Sequence, residues 1–469
     1  MLLRLAFVTL TLLATPALAG ALPETVQRAL TQAGIADDNV TVWVQPVDAD
    51  SPTISHNADR PMNPASVMKL VTAFAAFERL GPAYTWTTRV ATDGTLDDGA
   101  LAGNLYLIGG GDPMLDVGRL YKLLARVRAS GITHVAGDIV LDASALRLPP
   151  HDEAAFDNRP LRPYNSGANA LLANFNTVQL HLTPGGRPGE PVAVAAVPAL
   201  EGVEFDTRIV TSDGFCGAWW SRLDAVPDGG KLVLTGTLPI DCGPRDWAVA
   251  PLPTEAFTER LVARLWRDAG GTLSGQVRSA TTLPTATTLF AQDSVPLAEA
   301  VREMNKWSSN VIARQVLATL AIDDPSSVDM IATGAWRARD TLAAAGVPTQ
   351  GLVIENGSGL SRSARIRADA LGALLIQAWK RPWMPEFVSS LSIAGLDGTA
   401  RKRLADSPAN GQAHLKTGTI NGVRAMAGYV LDRDGRRHAV VMMVNDAKAS
   451  RGEAAQDGVV EWVWGGAGK

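Results

Sequence analysis

Apolar residues crowd into one dense run at 70–80, Leu-Val-Thr-Ala-Phe-Ala-Ala-Phe-Glu-Arg-Leu, followed by Gly81-Pro82. That density, closed by a Gly-Pro stop, predicts a largely buried helix starting near Ser66. The pattern then changes. Short apolar runs at 105–108, 139–141, 178–182 and 232–234 alternate with turn clusters at 97–99, 109–113, 184–186 and 228–230. Such spacing predicts mostly β structure in one or two inserted domains. Helical periodicity returns at 295–305 and 311–320, and again at 369–379. The chain then becomes strand-rich, with strands predicted at 415–419, 425–431 and 439–444. Asn421-Gly422 and Asp434-Gly435 separate them as hairpin signals. The apolar tail at 459–464 is expected to be a packed terminal element rather than an interfacial anchor.

The amino terminus changes the picture of compartment. Met1-Leu-Leu-Arg4, an apolar stretch at 5–13 and Ala17-Leu18-Ala19 read as a signal peptide cleaved after Ala19. The stretch 5–18 is short of the ~20 residues that span a bilayer, so no transmembrane anchor is expected after cleavage. The mature chain would be exported, to the periplasm or beyond. At 469 residues the chain is too long for one ordinary core, and its net charge of −4 gives no basic footprint for nucleic acid. Cys216 and Cys242 are the only cysteines. Export makes a disulfide between them plausible, with two separately buried thiols as the alternative. The six histidines, at 56, 134, 151, 181, 414 and 438, show no metal-ligand spacing, so neither metal nor cofactor is expected.

Three short motifs carry the candidate chemistry: Ser66-Val-Met-Lys69, Ser308-Ser309-Asn310 and Lys416-Thr417-Gly418, once each and in that order. A second Ser-x-Asn, Ser55-His56-Asn57, lies upstream in the wrong order and is expected to be a surface turn. A serine hydroxyl needs a base within reach, and i,i+3 spacing at a helix start puts Ser66 and Lys69 one turn apart on one face. Lysine is a base only when neutral; apolar surroundings, a second cation at Lys416 and the helix terminus would all lower its pKa. Ser308 and Asn310 supply a hydroxyl for proton relay and an amide for positioning, although Ser and Asn at such a junction are also ordinary helix caps. Lys416 and Thr417 suit a substrate carboxylate, and Gly418 permits close approach of the strand. The backbone N–H groups of Ser66 and Thr419 are natural oxyanion donors.

With these motifs in place, the chain resembles the D-alanyl-D-alanine carboxypeptidase/endopeptidase family, class C of the low-molecular-mass penicillin-binding proteins. Supporting segments are Asn104-Leu-Tyr-Leu-Ile-Gly-Gly-Gly-Asp-Pro113, Asn356-Gly-Ser-Gly-Leu-Ser-Arg362 and Gly395-Leu-Asp-Gly-Thr399. The resemblance implies an α/β (α+β) transpeptidase/β-lactamase-like catalytic domain: an antiparallel sheet with helices, a helical subdomain, and two mainly β inserted domains. The catalytic domain would comprise 20–90 and 285–469, one insert 91–160 with 236–284, and the other 161–235. It also implies hydrolysis of D-Ala-D-Ala ends or D-Ala–diaminopimelate cross-links in peptidoglycan stem peptides through an acyl-enzyme on Ser66. β-Lactam antibiotics would act as covalent inhibitors. Ser309 departs from the Asp common in the family, but no catalytic role rests on it. His414 also fits the family's pattern and is assigned no chemistry. The rivals are a serine β-lactamase or esterase of the same superfamily and a non-catalytic wall-binding scaffold. The chain has no Leu-Asn dipeptide for a class A deacylation motif, and no tyrosine where class C enzymes place one.

Overall fold

The computed structural model describes residues 21–467, so the expected signal peptide at 1–19 lies outside the described residues. Six antiparallel strands form the central sheet, in the order Ser392–Ile393, Ala413–Ile420, Val423–Leu431, Arg437–Asn445, Val40–Pro46 and Ile54–His56. Asn421-Gly422 closes the hairpin between Ile420 and Val423, with Gly422 at φ +77°, a conformation that favours glycine. The three strands predicted near the carboxyl terminus are therefore adjacent in this sheet. Val40–Pro46, which the pattern reading did not single out, pairs with Arg437–Asn445 across nearly the whole chain.

The strand Arg437–Asn445 shows why no apolar–polar alternation marks these strands. Ala439, Val441 and Met443 pack into one core and Val440, Met442 and Val444 into another, so both faces are covered. On one side lie the terminal helices Glu24–Ala33 and Glu453–Trp464, which contribute Val26, Leu30, Val459, Val460 and Val463. The apolar tail is thus packed inside. On the other side lie Lys69–Leu80, Leu297–Lys306, Asn310–Thr319 and Ala368–Trp379. Every residue from Lys69 to Phe77 is buried, because that helix is surrounded by the others.

The segment between Leu80 and Leu297 is mostly strand, as expected, arranged in sheets of five, four, three and three strands. Thr87–Thr92 pairs with Thr287–Asp293, and Ile139–Asp142 with Val277–Ser279, bringing the two ends of the insertion into one sheet. Two helices not anticipated from the pattern, Val117–Ala129 and Thr254–Asp268, also pack into the insertion's core. Cys216 and Cys242 form a disulfide there. Ser55 and His56 lie in an edge strand rather than the expected surface turn, and only Asn57, at φ +47°, turns out of it.

Candidate active site

Ser66 does not open an α-helix, as its spacing suggested, but sits in a tight 3-10 turn, Ala65–Met68, immediately before the helix Lys69–Leu80. Ala65 holds φ +45°, a left-handed conformation that a non-glycine residue keeps only when its surroundings enforce it. The enforcement is visible. Asn63 Oδ1 accepts from Ala65 N at 2.9 Å, Asn63 N donates to Asn445 Oδ1 at 2.8 Å, and Asn445 Nδ2 donates back to Asn63 O at 3.0 Å. The central sheet thereby grips the turn that carries Ser66.

Lys69 is wholly buried, and its Nζ lies 3.0 Å from Ser66 Oγ, 2.7 Å from Asn310 Oδ1 and 2.6 Å from the Ser358 carbonyl oxygen. Burial, then Lys416, then Arg314 push its pKa well below the usual lysine value. Sequence reasoning missed two of these partners. Ser358 acts through its backbone, which no side-chain motif reports. Arg314 lies on the helix Asn310–Thr319 and donates to the Tyr164 and Ser166 carbonyl oxygens at 3.0 and 2.7 Å; burial lowers its pKa to about 10.

The second motif divides its labour. Ser309 is the helix cap, its Oγ accepting from Ile312 N, while Ser308 and Asn310 face the site. Ser308 holds φ +60° beside the cap. The capping alternative is therefore met by Ser309 and leaves its two neighbours free for other work.

Lys416 is also wholly buried, and its Nζ donates to Ser308 Oγ at 2.9 Å and to the Thr417 carbonyl at 2.8 Å. Burial lowers its pKa to about 7. The hydroxyls of Thr417 and Thr399 lie 2.8 Å apart. A Cβ on Gly418 would stand 2.6 Å from Pro64 O and 2.9 Å from Ser66 N. The glycine thus lets the strand press against the turn that carries Ser66. All three motifs meet at one place. Ser66, Ser308 and Thr419 stand where two cavities adjoin. One, of about 340 Å³, also has Thr399, Thr417 and Arg424 in its wall. The other, of about 490 Å³, is completed by Asp157, Arg159 and Tyr164 of the insertion and by Arg362.

A serine hydroxyl hydrogen-bonded to a buried lysine and lining two adjoining cavities has the geometry that acyl transfer requires. The model of the D-Ala-D-Ala carboxypeptidase 3 (S13) family matches residues 22–464. The chain belongs to that family. It is accordingly a hydrolase, and the family's breadth of match covers both the sheet and the insertion. A D-alanyl-D-alanine carboxypeptidase of Actinomadura sp. (strain R39) is 32% identical over 408 residues, 81% of this chain and 73% of that protein. The D-alanyl-D-alanine carboxypeptidase DacB of Haemophilus influenzae is 27% identical over 419 residues, covering 89% and 87%. The crystal structure of penicillin-binding protein 4 from Haemophilus influenzae superposes with a TM-score of 0.78 at 25% identity, covering 94% of this chain and 99% of that one. The same protein has been solved in complex with a β-lactam, with a TM-score of 0.74 at 24% identity over 94% and 99%.

Proposed function

We propose that this S13 hydrolase is a serine D-Ala-D-Ala carboxypeptidase or DD-endopeptidase of peptidoglycan that works through an acyl-enzyme on Ser66. One observation carries the reading. Of the three groups around Lys69 Nζ, the Asn310 amide oxygen and the Ser358 carbonyl can only accept hydrogen bonds. A neutral amine there spends its two N–H groups on those acceptors, and its lone pair is left for the Ser66 hydroxyl at 3.0 Å.

The steps follow. Lys69 takes the hydroxyl proton as Ser66 Oγ attacks the carbonyl carbon of the penultimate D-alanine. The N–H groups of Ser66 and Thr419 receive the oxyanion. Ser308, held by Lys416, relays the proton that Lys69 took up on to the departing amine as the C–N bond breaks, which leaves Lys69 neutral again. Water then attacks the ester, Lys69 again serving as base, and Ser66 is restored. Thr417 and Thr419 meet the substrate carboxylate, with the Lys416 charge behind them. Penicillin would acylate Ser66 in the same way, and the β-lactam bound by the Haemophilus protein makes it a suitable probe. Export behind a signal peptide cleaved after Ala19 brings the enzyme to its wall substrate. The pairing of Ile139–Asp142 with Val277–Ser279 supports a nested division, 91–160 with 236–284 enclosing 161–235.

Mass spectrometry of the mature protein with a fluorescent penicillin, beside Ser66→Ala, tests this. A persistent adduct on the parent and none on the variant is expected. Rapid loss of label with drug turnover would make the protein a β-lactamase. Absence of any label would leave a wall-binding scaffold.

A further inference from the structure

The insertion contains a second cavity, of about 540 Å³, that the chemistry at Ser66 does not use. It lies between residues 158–162, residues 220–227 and the strand Arg245–Val249. Its size falls in the range of ligand sites. Three arginines line it, Arg159, Arg162 and Arg222, against a single carboxylate, Asp224. Among the described residues none of the three arginines forms an ion pair. Two indoles complete the wall. Trp220 is 49% exposed and stands edge-on to Trp219, which packs into the insertion's core. Trp247 is only 5% exposed, and its Nε1 is buried with no hydrogen-bond partner.

Position matters as much as composition. Arg159 lines both this cavity and the cleft that contains Ser66, so the two are neighbours through one side chain. The Cys216–Cys242 disulfide ties down the segment that carries Trp219 and Trp220, which keeps an exposed indole in place. An exposed indole face and guanidinium groups without carboxylate partners match a ligand with a ring bearing C–H and oxygen groups, joined to carboxylates. A peptide anchored at Ser66 would have to supply both parts.

Resting on the reading of Ser66 as a peptidoglycan peptidase, we propose that this cavity binds the distal end of the acyl donor, an amino sugar joined to an acidic peptide. Trp220 carries the sugar ring, and Arg159, Arg162 and Arg222 take the peptide carboxylates. The insertion is then a substrate-length gauge: it favours stem peptides still attached to glycan over free peptides.

Calorimetric titration of the full mature chain carrying Ser66→Ala tests this, using a muramyl pentapeptide and the same pentapeptide without sugar. The sugar-bearing ligand should bind roughly ten-fold more tightly, the scale of one charge-assisted or aromatic contact set. Adding Trp220→Ala should remove that preference. Trp220 is exposed, so its substitution does not threaten the fold. Equal affinity for the two ligands overturns the proposal, as does a preference that survives Trp220→Ala, or no binding of either ligand. Penicillin labelling of the parent is run in parallel. If Ser66 takes no label, the acyl-enzyme reading fails, while a sugar-dependent preference removed by Trp220→Ala still upholds the cavity's role.

Discussion

Burial holds Lys416 at a pKa of about 7, and both of its hydrogen-bond acceptors, Ser308 Oγ and the Thr417 carbonyl, are neutral. Its charge is therefore within reach of ordinary pH. Below about 7 the ammonium is present and, in the proposed mechanism, supports both Ser308 and the substrate carboxylate; above it that charge disappears. In the same mechanism Lys69 works in the opposite sense, since it would have to lose its proton to act, and its pKa is lowered by burial first and by Lys416 second. The rate of penicillin acylation should thus form a bell against pH, its acid limb set by Lys69 and its alkaline limb falling near 7 with Lys416. Lys416→Arg, with a group that does not titrate in this range, should flatten the alkaline limb. A profile with no alkaline limb in the parent would contradict this account. The same residue makes a stability prediction. The folded pKa of about 7 lies below the unfolded value of 10.5, so between those limits the unfolded chain binds more protons. Stability should rise with pH across that window, and denaturant titrations at pH 7 and 9 should show a smaller rise in Lys416→Met.

Among the elements, the site depends on how closely the strand Ala413–Ile420 can approach the turn Ala65–Met68. Gly418→Ala would place a methyl 2.6 Å from Pro64 O and 2.9 Å from Ser66 N, and one of the two elements must move. A displacement approaching 1 Å costs on the order of 100-fold in rate, so penicillin acylation should fall by that scale. Gly435 provides the control: at φ +83°, with nothing within 4 Å of its would-be Cβ, Gly435→Ala should cost only about 1 kcal/mol and leave acylation intact. Equal acylation rates in the two variants would refute the close-approach argument. These elements also show what the sequence made legible. The Ser66, Ser308 and Lys416 motifs, their flanking helices and the terminal hairpins were all marked by local spacing or turn residues. The Ser358 carbonyl was not, because a backbone acceptor carries no side-chain signature. Val40–Pro46 gives no alternation, since it is buried on both faces from Val40 to Gln45. The helix Val117–Ala129 did carry a signal, with Leu120, Leu123, Leu124 and Val127 buried on one face and Asp116 capping it. Short apolar runs nearby drew the reading toward strands.

The whole molecule has cores that share no residues. The sheet carries one on each face, and the insertion has its own, built around residues such as Leu123, Leu180, Leu234 and Phe257. Between them the contact is largely polar. Arg314 and Gln315 reach carbonyls of Tyr164, Ser166, Gly111 and Asn169, and Arg147 reaches those of Asp324 and Ser327. Apolar contacts add to it: Leu146 and Ala170 against Ala318, Ala321 and Met330, and Met114 and Phe175 against one core of the sheet. Such a junction resembles a domain interface rather than a shared core, so the two parts should lose structure separately. The Cys216–Cys242 disulfide lies in the insertion and closes a loop of 26 residues. Its removal should cost about 3–4 kcal/mol on the chain-entropy estimate, and that loss should fall on the insertion alone. The double variant Cys216→Ser, Cys242→Ser should therefore show an earlier calorimetric transition that the parent lacks or places higher, while the main transition stays put. Between the two transitions penicillin should still label Ser66, more slowly, because the Asn310 helix loses its contacts to Tyr164 while the sheet and Lys69 remain. Loss of labelling together with the first transition would mean that the insertion is part of the catalytic fold, and that its arginine contacts are what keep Asn310 against Lys69.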